Sequence, residues 1–104
     1  NGYDHNWVFD QMGDSQKRIM ATVAEPVSGR ILKVYSTEPG LQFYSGNFLS
    51  ESSISEGASF ENRLGLCLET QHFPNSPNQA NFPSTVLQPG LVHGTQTIYS
   101  FLTV

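Results

Sequence analysis

The stretch GLCLETQHFPNSPN, residues 65–78, joins a short apolar run to a dense turn of polar, aromatic and proline residues. The apolar run is typical of a short strand, and the prolines with Asn75 and Ser76 predict that the chain turns after it. Glu69 lies where the two parts meet, so its carboxylate is expected at the mouth of a sheet. A site that takes a proton from a polyhydroxylated ligand needs a carboxylate in such a place. This placement makes Glu69 a candidate for a catalytic residue, against the commoner role of a surface carboxylate at a strand end.

The rest of the chain is also patterned for strands. No window sustains a helical period over three turns, and runs of β-branched and aromatic residues predict strands at residues 17–24, 30–37, 41–44, 65–70 and 96–104. Polar loops are expected at residues 10–16 and 50–62. The pattern predicts an all-β, antiparallel sandwich.

Three details of these strands can be predicted. Alternation in residues 17–24 places Ile19, Ala21 and Val23 on one face. The pair Ser28-Gly29 predicts a hairpin turn between this strand and the next. The last strand, residues 96–104, is apolar on both faces, which favours burial between layers.

Composition limits the function classes. The chain has 104 residues, enough for one domain, and its charged fraction of 13% is low for a soluble protein, which suggests that part of its surface forms a ligand site or an interface. The net charge is −4 and no basic run is present, so nucleic acid is not an expected partner. No stretch approaches the about 20 apolar residues that a membrane span needs.

Cys67 is the single cysteine, so no disulfide can form within the chain, and we expect it to be a small buried core residue. His5, His72, His93 and Cys67 show no short spacing of metal ligands, so no metal site is expected. The single cysteine and the lack of a glycosylation sequon favour the cytoplasm, although neither rules out a periplasmic or secreted protein.

Four blocks of the sequence resemble motifs of the aldose 1-epimerase (galactose mutarotase) family. They are GYDHNWVF at residues 2–9, TEPGLQFYSGNFL at 37–49, LETQHFPNSPN at 68–78 and FPSTVLQPG at 82–90. The blocks follow the family's order and together span nearly the whole chain. The resemblance extends the predicted fold to part of a large antiparallel β-sandwich.

The resemblance implies an enzyme that interconverts the α and β anomers of free hexoses such as glucose and galactose, without a cofactor. Glu69 matches the family's catalytic base, while Asp4 and Gln42 match residues that bind the sugar hydroxyls. We expect three further residues to hold these side chains in place without contacting the sugar: His5, Asn6 and Asn47. Partial burial of Glu69 beside Leu68 would improve its basicity.

The 104 residues match only the C-terminal third of the family's domain. We therefore expect residues 1–104 to be the C-terminal portion of one domain, with the upstream part as its partner and as the source of the acid histidine. The resemblance does not transfer that role to His5, His72 or His93. The chain alone is expected to be inactive.

Other interpretations remain open at this point. A non-catalytic carbohydrate-binding β-sandwich could keep the pocket without the turnover. An epimerase for a phosphorylated hexose would need Arg or Lys aimed at a dianion, and the chain's five basic residues lie outside the site motifs.

Single residues also have alternative roles. Asp4 could simply form an Asx-turn. Four aromatic residues lie in or near the site motifs: Phe43, Tyr44, Phe73 and Phe82. We expect most of them to pack in the core, and one of them could stack on a pyranose.

Overall fold

The computed structural model describes residues 2–10, 17–51 and 61–104. These residues form six strands: β1 (Asp4–Val8), β2 (Arg18–Glu25), β3 (Arg30–Ser36), β4 (Gly40–Tyr44), β5 (Cys67–Gln71) and β6 (Thr97–Thr103). Two single-turn 3-10 helices occur at Leu49–Glu51 and Ser76–Asn78. Within the described ranges, no helix has the length and apolar character that spanning a membrane requires. The all-β prediction is confirmed.

The strands form two antiparallel sheets of three strands each, in the orders β1-β4-β5 and β2-β3-β6. Residues 37–39 carry the chain directly from β3 in one sheet to β4 in the other. Met20 and Val34 of the second sheet pack with Leu41 of the first in a small buried core. Burial of these apolar side chains holds the two sheets face to face, as in the predicted sandwich.

A β-bulge changes the predicted face of β2. Ile19 pairs with Tyr35, but Ala21 pairs with Val34, so Met20 is an additional residue without its own partner. Because Tyr35 and Val34 are adjacent in β3, Ile19 and Ala21 point to opposite faces. The prediction that Ile19 shares a face with Ala21 and Val23 is therefore wrong. The bulge turns Met20 into the core, where it is 7% exposed, and leaves Ile19 50% exposed.

Two burial predictions also fail. Cys67 is exposed rather than buried, because it lies at the start of β5 on the face away from the core. The terminal strand β6 is not enclosed between layers in this chain: Phe101 is 78% exposed. On its other face, Ile98 and Leu102 are 38% and 43% exposed.

Strand β1 was not predicted, since Asp and Asn are disfavoured in strands and no apolar run marks it. Backbone pairing with β4 over the whole of Asp4–Val8 overrides this weak propensity. Of the two predicted polar loops, residues 11–16 and 52–60 lie outside the described residues.

The predicted hairpin turn at Ser28-Gly29 is confirmed. Gly29 adopts a φ of 71° and donates its N–H to the Glu25 carbonyl over 2.9 Å. A side chain at Gly29 would also approach the Val104 carbonyl oxygen within 2.6 Å. The Glu25 carboxylate accepts hydrogen bonds from the backbone N–H groups of Val27 and Ser28 at 2.8 and 2.6 Å. Bonds from the Ser28 side chain and from these N–H groups lower the pKa of Glu25.

This turn should weaken in acid. Because the folded-state pKa of Glu25 is depressed, its stabilisation is present above the ordinary carboxyl pKa and is lost as the pH falls through the lowered value. Denaturant unfolding of the wild type and Glu25→Gln, repeated across that pH range, should give a stability difference that shrinks in acid. A difference that does not change with pH would contradict the assignment.

Candidate functional site

The sheet β1-β4-β5 has one strongly polar face. Asn6 lies directly opposite Gln42, and Gln42 lies directly opposite Glu69. Because opposed residues of antiparallel strands share a face, these three side chains form a row across the sheet. Asp4 is two residues before Asn6, so strand alternation places it on the same face. The fold thus brings together Asp4, Gln42 and Glu69, the three residues that the sequence assigned to the site. We call Asn6, Gln42, Glu69 and Asp4 the polar row.

A hydrogen bond within the polar row orients the Gln42 amide. Its Nε2 donates to Asp4 Oδ1 at 2.8 Å. The opposite atom, Gln42 Oε1, is buried and has no hydrogen-bond partner among the described residues, and the same holds for Oδ1 and Nδ2 of Asn6. Buried amide atoms without partners are costly, and a native protein usually satisfies them with water or a ligand. These atoms amount to two acceptors and one donor, which are closed to solvent in this structure and have the chemistry to bind hydroxyl groups.

Glu69 is exposed at the β5 end of the polar row, contrary to the partial burial expected from the sequence. Among the described residues, no side chain or N–H group bonds to its carboxylate. The neighbouring Gln42 side chain is turned toward Asp4 instead. An ionised carboxylate with free lone pairs can accept a proton from a ligand hydroxyl placed on this face.

A pair of aromatic rings lies beside the polar row. Gly40 has no side chain, and a Cβ there would lie 2.9 Å from Asn6 Oδ1 and 3.0 Å from Phe73 Cδ1. The glycine thus lets Asn6 and Phe73 approach each other across β4. The Phe73 ring packs edge-to-face on Phe82, with centroids 5.2 Å apart. Phe73 is therefore the aromatic residue best placed to contact a ligand beside the polar row.

The other two aromatic candidates have different surroundings. Phe43 lies on the opposite face of the sheet, where its ring centroid is 5.4 Å from that of Tyr3. The Tyr44 hydroxyl accepts a hydrogen bond from the Phe48 N–H at 2.9 Å and fixes the turn after β4. Both contacts are structural.

The residues expected to support the site divide into two kinds. His5 points to the face opposite the polar row, and its Nδ1 accepts the N–H of Asp4 at 3.0 Å. Asn47 donates to the Tyr3 carbonyl at 2.9 Å and accepts from the Ser45 hydroxyl at 2.7 Å. Both therefore hold the backbone around Asp4 from outside the site. Asn6, in contrast, is a member of the polar row itself.

Sequence reasoning missed the pairing of Glu38 with His72. Glu38 Oε2 lies 2.7 Å from His72 Nδ1, and the Glu38 side chain is only 8% exposed. The one available signal was an acidic residue inside the TEPG block of a chain with few charges. Residues 2–10, 17–51 and 61–104 contain no group of three or more His, Cys, Asp and Glu side chains that could hold a metal ion.

Comparison with known proteins gives consistent matches. A family model described as Aldose 1-epimerase matches residues 1–100. Galactose mutarotase of Bos taurus is 44% identical over 102 residues, which are 97% of this chain and 29% of the relative. The human galactose mutarotase is 43% identical over the same shares. Aldose 1-epimerase of Escherichia coli (strain K12) is 38% identical over 103 residues, 97% of this chain and 30% of the relative. The chain thus spans less than a third of the length of these relatives.

Two asparagines of the site should respond oppositely to the same substitution. Asn6→Leu removes buried amide atoms that lack partners, so the free energy of unfolding should stay the same or rise. Asn47→Leu removes an amide whose two ends are bonded, and it should cost about 1–2 kcal/mol. Denaturant unfolding of both variants without ligand provides the comparison. Equal destabilisation by the two substitutions would show that the Asn6 amide is a structural group.

Proposed function

The chain belongs to the aldose 1-epimerase family, and on that premise we propose that the protein that contains it interconverts the α and β anomers of free hexoses such as glucose and galactose. The observation that carries this proposal is the polar row, in which a free carboxylate lies beside buried amide atoms without partners. A flat array of acceptors and donors with an adjacent aromatic ring suits a polyhydroxylated ring.

The proposed reaction transfers only protons. Glu69 takes the proton of the C1 hydroxyl as an acid protonates the ring oxygen, and the bond between C1 and the ring oxygen breaks. Rotation about the C1–C2 bond exposes the other face of the aldehyde. On ring closure, the ring oxygen returns its proton to the acid and Glu69 returns its proton to the C1 oxygen, which yields the other anomer. The acid is proposed to be a histidine from the part of the family's domain that this chain does not include. No cofactor enters this scheme.

The other members of the polar row are proposed to bind the sugar. The Asp4 carboxylate has one oxygen bonded to Gln42 and retains further lone pairs for sugar hydroxyls. Such charge-assisted bonds are about twice as strong as neutral ones. Gln42 Oε1 and the Asn6 amide supply the remaining polar contacts. Phe73 offers its ring to the apolar face of the pyranose. Fixing the sugar in this way orients its C1 hydroxyl toward Glu69.

The proposal extends to the substrate, the partners and the cellular location of the enzyme. Its substrate is a small free aldohexose, its macromolecular partner is the remainder of the same domain, and no nucleic acid takes part. A cytoplasmic location is supported by Cys67, an exposed and free thiol of the kind that persists in a reducing compartment.

Glu69→Gln tests the base. The amide keeps the shape of the side chain but cannot take a proton, so in the full-length protein turnover should fall by about 10²-fold or more. Affinity for galactose should change little. Polarimetry that starts from pure α-galactose measures the rate, and titration calorimetry measures binding.

Glu61→Gln, an exposed glutamate outside the polar row, is the matched control and should have wild-type activity. A Glu69→Gln variant with a near wild-type rate would remove Glu69 from the mechanism. A wild-type protein that binds galactose but does not interconvert its anomers would favour the non-catalytic sugar-binding alternative.

Asp4→Ala tests the binding role. It removes sugar acceptors and also releases the Gln42 amide from its 2.8 Å bond, so both affinity and rate should fall, affinity by about tenfold. Asp10→Ala, which changes an exposed aspartate outside the polar row, is the control. Unchanged affinity and turnover in Asp4→Ala would leave Asp4 as a turn residue.

A further inference from the structure

Glu38 is held by hydrogen bonds through its N–H, its carbonyl and one oxygen of its carboxylate. Its N–H donates to the Ser36 hydroxyl at 3.0 Å, and its carbonyl accepts from the Arg18 guanidinium at 2.9 Å. Its carboxylate receives the only ring N–H that points toward it among the described residues, from His72 Nδ1 at 2.7 Å. An ionised carboxylate can only accept, so Nδ1 of His72 is assigned as the donor in this pair. The position of Glu38 is therefore well defined, and the hydrogen bond holds His72 against it.

His72 follows directly after β5, the strand that carries Glu69. In the described part of the chain, β5 is an edge strand that pairs only with β4, and the pairing ends at Gln71 opposite Gly40. The end of an edge strand frays easily, because few contacts hold it. The bond from His72 to Glu38 fastens β5 immediately beyond its last backbone pair.

Two further contacts fasten β5 from the opposite sheet. The Tyr99 hydroxyl donates to the Leu68 carbonyl at 3.1 Å, and the hydroxyls of Thr70 and Thr97 lie 2.6 Å apart. The residues on both sides of Glu69 are therefore bonded to β6. Among the described residues, the bond between Glu38 and His72 is a polar contact that acts immediately beyond Gln71, where the pairing of β5 with β4 ends.

We infer that Glu38 and His72 form a positioning pair for the reaction, which fixes the end of β5 and thereby the Glu69 carboxylate relative to the sugar. The inference rests on the proposed function of Glu69. Neither residue belongs to the polar row, and the polar sugar contacts proposed for Asp4, Asn6 and Gln42 come from β1 and β4. Loss of the pair should therefore lower kcat and leave KM nearly unchanged.

The test uses the full-length protein with three variants. His72→Leu removes the ring N–H, whereas His72→Asn keeps an N–H donor close to the position of Nδ1. The double variant Glu38→Met/His72→Leu replaces the pair by apolar groups, so that no unpaired carboxylate is left in the interior. We expect His72→Leu and the double variant to lower kcat by about tenfold to hundredfold, with KM within about twofold. His72→Asn should recover most of the loss.

His93→Leu is the matched control. The His93 ring packs edge-to-face on His72 at 6.2 Å, so this substitution perturbs the same neighbourhood but leaves the bond to Glu38 in place. Its kcat should stay within about twofold of the wild type. Wild-type kcat in both the His72→Leu and double variants would overturn the inference. An equal loss in His72→Asn or in His93→Leu would do the same, because the effect would then not depend on the hydrogen bond.

Amide hydrogen exchange separates this inference from the proposed function. Exchange over Cys67–Gln71 should become about tenfold faster in His72→Leu than in the wild type and in His93→Leu. If the wild type does not interconvert anomers, the proposed function is wrong and so is the catalytic part of the inference. Unchanged exchange together with normal turnover would show that the pair does not position β5.

Discussion

The hydroxyl group of Ser36 makes hydrogen bonds at the point where the chain passes from one sheet to the other. Ser36 is fully buried, and its Oγ accepts the N–H of Glu38 at 3.0 Å and donates to the Gln96 carbonyl at 3.1 Å. The same hydroxyl lies 3.1 Å from that of Thr97. A crossing of only three residues between two packed sheets buries backbone polar groups that must find partners. Ser36 supplies the partner of the Glu38 N–H. The Thr37 N–H is bonded to Gln96, and the carbonyls of Glu38 and Pro39 accept from Arg18 and Phe9.

The position of the crossing also fixes the register of the site. Because β4 begins at Gly40, directly after the crossing, Gln42 is the residue that points away from the core beside Leu41, which points into it. Backbone pairing then sets Asn6 and Glu69 opposite Gln42. A slip of one residue would exchange the two faces and bury the polar row. The buried Leu41 makes such a slip costly, so the apolar side of the sheet secures the geometry of its polar side.

The two faces of this sheet satisfy their polar groups differently. Around Asp4, the His5 ring accepts the Asp4 N–H, and the Asn47 amide donates to the Tyr3 carbonyl and accepts from the Ser45 hydroxyl. In the polar row, the amides of Asn6 and Gln42 keep atoms without partners in the described part of the chain. Functional sites commonly retain such locally unfavourable groups, which a ligand can satisfy. The contrast supports the polar row as the proposed site better than exposure alone, because many apolar side chains are exposed as well.

The sequence by itself determined the fold class, most strand positions, the hairpin turn at Ser28-Gly29 and the candidates Asp4, Gln42 and Glu69. These depend on local alternation, turn chemistry and motifs, which a linear chain displays directly. Only the tertiary structure decided that Met20 bulges into the core, that Cys67 and Glu69 are exposed, and that Asn6 belongs to the polar row. It alone paired Glu38 with His72, 34 positions apart in the chain. Burial and long-range partners depend on which strands pair and in which register, and the pattern of a single strand does not contain that information.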